Sequence, residues 1–267
     1  MKTIRYIALA LLAVSPLCAQ RYLLKDGKVL KQDEVVLKGN VLVKSLGGDA
    51  GEMQFPVSQV VRLDWPEPAE IAEARALLAA GKAEEAEAKI NPIYAQFTPF
   101  AKVPGGWWND AALLRARALL ARKQNAETEK ATKELIATST DEETRLAAQL
   151  IDIRLQLALG KSSAADTMLE GLMRKEVSGE IAAGAAVLRG DIAYGQKDFE
   201  KALELYLLVP AFYGAEDEVM PAALLGSARS FRGYGDSART ERAYLDLMAA
   251  FPNSAEAILA KREMNGP

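Results

Sequence analysis

Three hydrophobic patterns follow one another along the chain. Residues 6–14 form an unbroken apolar run, Tyr-Ile-Ala-Leu-Ala-Leu-Leu-Ala-Val. Short apolar stretches then alternate with turn residues: Tyr22-Leu23-Leu24 before Asp26-Gly27, Val35-Val36-Leu37 before Gly39-Asn40, and Val41-Leu42-Val43 before Gly47-Gly48-Asp49-Ala50-Gly51. Met53 to Phe55 and Val57 to Leu63 follow, interrupted by Pro56. Brief β-branched runs bounded by Gly and Asn predict three to five strands. Beyond Pro66 the apolar positions take helical spacing, broken by turns at Gly81-Lys82, Lys123-Gln124, Gly160-Lys161, Gln196-Lys197 and Gly235-Asp236. Those turns are 42, 37, 36 and 39 residues apart. A period near 35–40 residues with two helices per unit predicts stacked helical hairpins.

Composition places the boundary between the last two patterns. Residues 20–65 hold one Ala and eight Val, and residues 66–267 hold 42 Ala and five Val. Ala loses no side-chain entropy in a helix, whereas Val suits a pleated surface. Asp64-Trp65-Pro66-Glu67-Pro68 marks the change, because two close prolines continue neither ladder nor helix interior. A β domain over 20–65 and a helical domain over 66–267 are therefore expected. The β part is small for an independent core and reads as an SH3- or Sm-like small barrel.

The first apolar run reads as an address. Lys2 and Arg5 precede it, Ser15-Pro16 ends it, and Ala19 offers a cleavage point, so residues 1–19 read as a signal peptide. Export, most simply to a periplasm, is expected. Cys18 follows Leu17 rather than a small residue, which departs from the lipoprotein pattern and argues against a lipid anchor. Past Leu17 no segment suits a membrane span. Without residues 1–19 the chain carries 31 basic and 36 acidic residues, which gives no nucleic-acid footprint.

Local chemistry refines the helix limits. Thr140-x-x-Glu143 fits a capping box, and Gly160 suits a left-handed helix end. Ser162 or Ser163, Asp198, Asp236 and Ser254 each fit a helix N-cap.

Gly190, Phe199, Ala202 and Tyr206 have the spacing of tetratricopeptide (TPR) repeats, which this part of the chain resembles. Gly160, Ala165 and Leu169 fit more loosely, as do Ala74, Gly81, Ala86 and Ile90. The unit from Ala223 through Gly235-Asp236 to Phe251-Pro252-x-Ser254 is similar to periplasmic TPR proteins of the Tol–Pal and outer-membrane assembly type. The hairpin around Lys123 departs most, with Thr128 and Thr132 where Ala and an aromatic belong. The resemblance covers about 200 residues. It implies a mainly α architecture, a TPR-like α-solenoid of about five hairpins, with a helical bundle lacking true repeats as the alternative.

Chemistry is sparse. The chain has no His and one Cys, which excludes Ser-His-Asp and Cys-His catalysis, His-bound metals and an internal disulfide. Phosphate loops, dinucleotide fingerprints and nucleophile elbows are missing, so no cofactor or metal is expected. Acidic groups at Glu84-Glu85-Glu87 and Asp141-Glu142-Glu143 suit helix starts, and Glu216-Asp217-Glu218 suits a solvated loop. The expectation is a non-enzymatic scaffold for envelope proteins. Carried over from TPR spacing, Arg117, Arg154, Asp191, Tyr194, Ser227 and Phe231 fall on the concave face, where arginines favour an acidic ligand. The alternative is a glycan-binding module, or a carboxylate-dependent glycan enzyme. It would use the aromatic connection from Phe97 to Trp108, with Trp107 and Trp108 as a stacking platform; otherwise both indoles are read as plugging the gap between hairpins, as large aromatics usually bury.

Overall fold

The structure is a computed structural model that describes residues 20–47 and 50–266. The leader read over residues 1–19, Cys18 included, and Gly48-Asp49 lie outside the described residues. Two compact units emerge. One runs to Glu67 and also takes in Val103–Gly106; the other comprises Pro68–Lys102 and Trp107 onward.

The first unit has two antiparallel three-stranded sheets. Strands β1 (Arg21–Leu24), β2 (Val29–Lys31) and β6 (Val60–Asp64) form one in the order β2-β1-β6. Strands β3 (Val36–Lys38), β4 (Val41–Ser45) and β5 (Glu52–Pro56) form the other in sequence order. Alternation sets the faces: Tyr22 and Leu24 of β1 are buried, with Leu30, Leu42, Phe55, Val60 and Leu63.

The stretch read as one strand over Val57–Leu63 divides. Val57–Gln59 is a 3₁₀ turn, where the Val57 N–H donates to the Asn40 carbonyl at 2.8 Å and the Val57 side chain is buried. That turn carries the chain from the second sheet back to the first, and Gln32–Glu34 makes the opposite crossing with another 3₁₀ turn. Strand β2 was not anticipated. It is only three residues long, and the Asp26-Gly27 turn folds it back on β1.

Val103–Gly106 runs beside the edge strand β6, with the Leu63 N–H donating to the Pro104 carbonyl at 2.8 Å. Gly105 is required there. It has φ +78°, and a Cβ would sit 2.0 Å from the Leu63 carbonyl oxygen.

The second unit holds eleven helices among the described residues: α1 (Ala69–Ala79), α2 (Ala83–Phe97), α3 (Trp108–Ala121), α4 (Asn125–Thr138), α5 (Glu142–Ala158), α6 (Ser162–Met173), α7 (Gly179–Gly195), α8 (Phe199–Phe212), α9 (Met220–Tyr234), α10 (Ser237–Ala250) and α11 (Ala255–Met264). They make five hairpins and a final helix. Each helix packs on the next, and each odd-numbered helix also packs on the following odd one. Even-numbered helices approach one another less closely.

Each hairpin turn contains one left-handed residue: Gly81, Lys123, Gly160, Lys197 and Gly235, with φ between 59° and 87°. Register counted from that residue makes the repetition plain. Five places after it stand Ala86, Thr128, Ala165, Ala202 and Thr240, and nine places after it stand Ile90, Thr132, Leu169, Tyr206 and Tyr244; all ten are buried.

Two cap expectations need correction. The N-cap of α5 is Asp141, not Thr140: its carboxylate accepts from the Thr144 N–H at 2.8 Å, while the Ser139 hydroxyl holds the Asp141 N–H. Helix α6 starts from Lys161 with no side-chain cap, because Ser162 and Ser163 already lie inside it. Asp198, Asp236 and Ser254 do cap, each accepting from a backbone N–H three residues on. Ser178 does the same for α7 and was missed.

Candidate partner-binding face

The same register picks out a charged row. Six residues before the left-handed turn residue stand Arg75, Arg117, Arg154, Asp191 and Arg229, one on each of α1, α3, α5, α7 and α9. All are exposed or half-exposed, and buried residues flank the four on α3, α5, α7 and α9 on both sides. Seventeen residues before the turn, at the start of α5 and α7 and just ahead of α9, stand Glu143, Glu180 and Glu218. Acidic groups at helix starts meet the helix dipole favourably.

The rows meet. Arg117 Nη1 lies 2.7 Å from Glu218 Oε2, and its Nη2 lies 3.2 Å from Glu180 Oε1. Arg75 Nε lies 3.2 Å from Glu218 Oε1. Glu143 accepts from the Ser178 hydroxyl that caps α7. These pairs connect helices that are not sequence neighbours. The first hairpin also reaches the last helix, since a Cβ on Gly81 would lie 3.1 Å from the Ala255 Cβ.

Asp191 sits between two arginines. Its residue surface is exposed, while protein packs closely around the carboxyl. Loss of hydration therefore pushes its carboxyl above the usual carboxylate range. The Tyr206 hydroxyl, which donates to Asp191 Oδ1 at 2.7 Å, and the charges of Arg154 and Arg229 pull it partly back. Loss of hydration and the Asp191 charge together drive the Tyr206 phenol far up.

Arg229 turns to Glu263 of α11, with Nε and Nη2 at 3.0 and 2.5 Å from Oε1. Tyr244 donates to Glu263 Oε2 at 2.7 Å, and Arg232 adds a contact at 3.1 Å. Burial would raise the Glu263 carboxyl, but these hydrogen bonds and the two arginine charges outweigh it and hold the carboxyl below its usual range.

Of the residues expected on the face, Arg117, Arg154 and Asp191 share the row, and Tyr194 lies three positions further on and stacks edge-on against Phe199 at 5.4 Å. Ser227 does not join them. It is buried and donates to the Ala223 carbonyl at 2.9 Å. Phe231 lies under the Arg239 guanidinium of α10, 5.1 Å away. Both are two places off the row, a rotation of about 200° on an α-helix. Arg75 and Arg229 were missed, although their constant offset from the turn residue is legible in the sequence.

Trp108 cannot be a surface platform. It opens α3 with 2% of its area exposed, its ring 6.3 Å from Tyr94, and its indole N–H has no acceptor. Trp107 is half-buried. An open apolar groove of about 520 Å³ lies along α10 and α11, lined by Met248, Pro252, Ile258 and Met264 among others. Among the described residues no group of three His, Cys, Asp or Glu is placed to hold a metal, and no helix is long and apolar enough to cross a membrane. Compared with known proteins, the chain matches no protein-family model and no curated protein.

Proposed function

We propose that this protein is a non-enzymatic interaction scaffold of a bacterial envelope, built on a TPR-like helical solenoid, and that it grips a partner polypeptide on the face formed by its odd-numbered helices. The observation that carries this reading is the charged row: five successive odd helices present Arg, Arg, Arg, Asp and Arg at one register. A core needs no charge there, and a solenoid's inner face is where repeated side chains line up to meet an extended ligand. An arginine-rich row favours a carboxylate-bearing partner. The leader-like residues 1–19 support export, and the two-sheet unit is compatible with a small SH3- or Sm-like barrel. Burial of Trp108 speaks against the glycan reading.

The test is crosslinking in cells followed by mass spectrometry, with Arg154→Glu as the control. An envelope protein captured by the native chain and lost with Arg154→Glu is the expected result. Equal capture by both would remove the face assignment, and capture of glycan alone would overturn the scaffold.

A further inference from the structure

The α8–α9 connection, residues 213–219, places one carboxylate on the arginine row from within the chain. Glu218 faces Arg75 and Arg117 together, and Glu180 adds to Arg117. These contacts join residues 63 and 101 positions apart. The loop is seated at its other end: the Glu216 carboxylate lies over the start of α7, where a Cβ on Gly179 would come within 2.7 Å of Oε1. Gly179 leaves room for that carboxylate beside a helix N-terminus, which attracts it. Glu216 thus holds the loop to α7 while Glu218 reaches across to α1 and α3.

The holding force is weak. The four side chains of the Arg75, Arg117, Glu180 and Glu218 network keep between 34% and 44% of their area exposed. Exposed pairs of this kind are individually marginal and are screened by salt. A structural tie meant to be permanent would be buried or apolar, and this one is neither.

We propose that the α8–α9 loop is an ionic strap. It ties the arginine row to the chain's own Glu218, and an acidic polypeptide segment releases it by taking Arg75 and Arg117. The strap rests on the scaffold reading for its purpose but not for its physics. Glu218 occupies the place a partner's carboxylate would take, so the chain competes with its own ligand.

Spin labels at Ala79→Cys on α1 and Asp217→Cys in the loop, in a chain carrying Cys18→Ser, read the strap directly as a distance. One short distance is expected at low salt. A longer population should appear in 0.5 M salt (which shortens the Debye length from about 8 Å at physiological ionic strength to about 4 Å), with Glu218→Gln, and on adding a glutamate decapeptide as probe. The decapeptide should bind Glu218→Gln roughly five-fold more tightly than the native chain, the scale on which exposed ion pairs act. Arg117→Glu should lengthen the distance while leaving the far-ultraviolet circular dichroism unchanged, which separates strap loss from misfolding. A distance that ignores Glu218→Gln, or equal decapeptide affinity for both chains, overturns the strap. A responsive distance with no protein captured in cells would keep the strap and remove the scaffold. Capture of a protein partner equally by native and Glu218→Gln would do the reverse.

Discussion

In α8 the Tyr206 ring enters a slot with glycine on both sides. A Cβ on Gly190 of α7 would lie 2.6 Å from the ring, and one on Gly226 of α9 would lie 2.5 Å from it. At the corresponding place in α4 stands Thr132, equally buried but far smaller, and Thr128 stands where α8 has Ala202. Both threonines turn their hydroxyls onto their own helix, to the Glu129 and Gln124 carbonyls at 3.1 and 2.8 Å. One hairpin couples three helices through a large ring; the other satisfies its polar groups locally. The repeat therefore lies in the backbone, in five left-handed turns and a constant register, while side chains fill the spaces in different ways. Stability should be unevenly placed, and mutation can show it.

The largest effect is expected from Tyr206→Ala. It empties a slot that no neighbouring Cβ can close and leaves Asp191 without its donor, so about 3–5 kcal/mol should be lost. Urea unfolding followed by circular dichroism would read it as a lower midpoint. A loss below about 1 kcal/mol would mean that the ring does not join α7, α8 and α9.

Gly226→Ala should cost about 1–3 kcal/mol, because the added methyl meets the ring rather than a flexible chain end. On a Tyr206→Leu background the same change should cost much less, a coupling that a double-mutant cycle measures. Additive costs would place the strain elsewhere.

Two carboxyls sharpen the comparison through pH. Asp191 is raised in the folded state, so its contribution is complete below the unfolded carboxylate range and is lost as pH rises through its folded value. Glu263 is lowered, so its contribution is present above the unfolded range and is lost as pH falls through its folded value. Asp191→Asn should therefore gain on the native chain as pH rises from 4 to 7, and Glu263→Gln should fall behind over the same span. Glu263→Gln should cost about 1–3 kcal/mol at neutral pH, since it weakens hydrogen bonds from Arg229 and Tyr244. Thermal midpoints at several pH values check both signs, and parallel curves would sink the assignment.

The sequence carried much of this arrangement in its turns. Gly81, Gly160 and Gly235 announce left-handed helix ends, and the Val-to-Ala change at Trp65 lies near the Glu67–Pro68 division but gives no sign that Val103–Gly106 joins the first unit. Lys123 and Lys197 are harder to read, since a lysine with positive φ carries no sign of it; only the spacing from the glycines reveals them. Asp141 took the cap from Thr140 because the Asp carboxylate fits the Thr144 N–H, a choice between adjacent capping residues that pattern alone leaves open. Spacing placed Arg117, Arg154 and Asp191 in one row. Ser227 and Phe231, mapped from a family pattern rather than counted from Gly235, fall two places off that row. The ion pairs to Glu180 and Glu218 join residues 63 and 101 positions apart, a pairing that no local pattern encodes.

The smallest effect belongs to the threonines. Thr128→Val and Thr132→Val keep the branched shape and remove a hydroxyl. Each hydroxyl bonds only to a carbonyl of its own helix, as the Thr240 hydroxyl does to the Asp236 carbonyl at 2.7 Å. Removing such a donor leaves no orphan, because the carbonyl keeps its helical partner. Each change should shift stability by less than about 1 kcal/mol, of either sign. A much larger loss would reveal that the hydroxyls bond across helices in solution, and that α4 is as interlocked with its neighbours as Tyr206 makes α8.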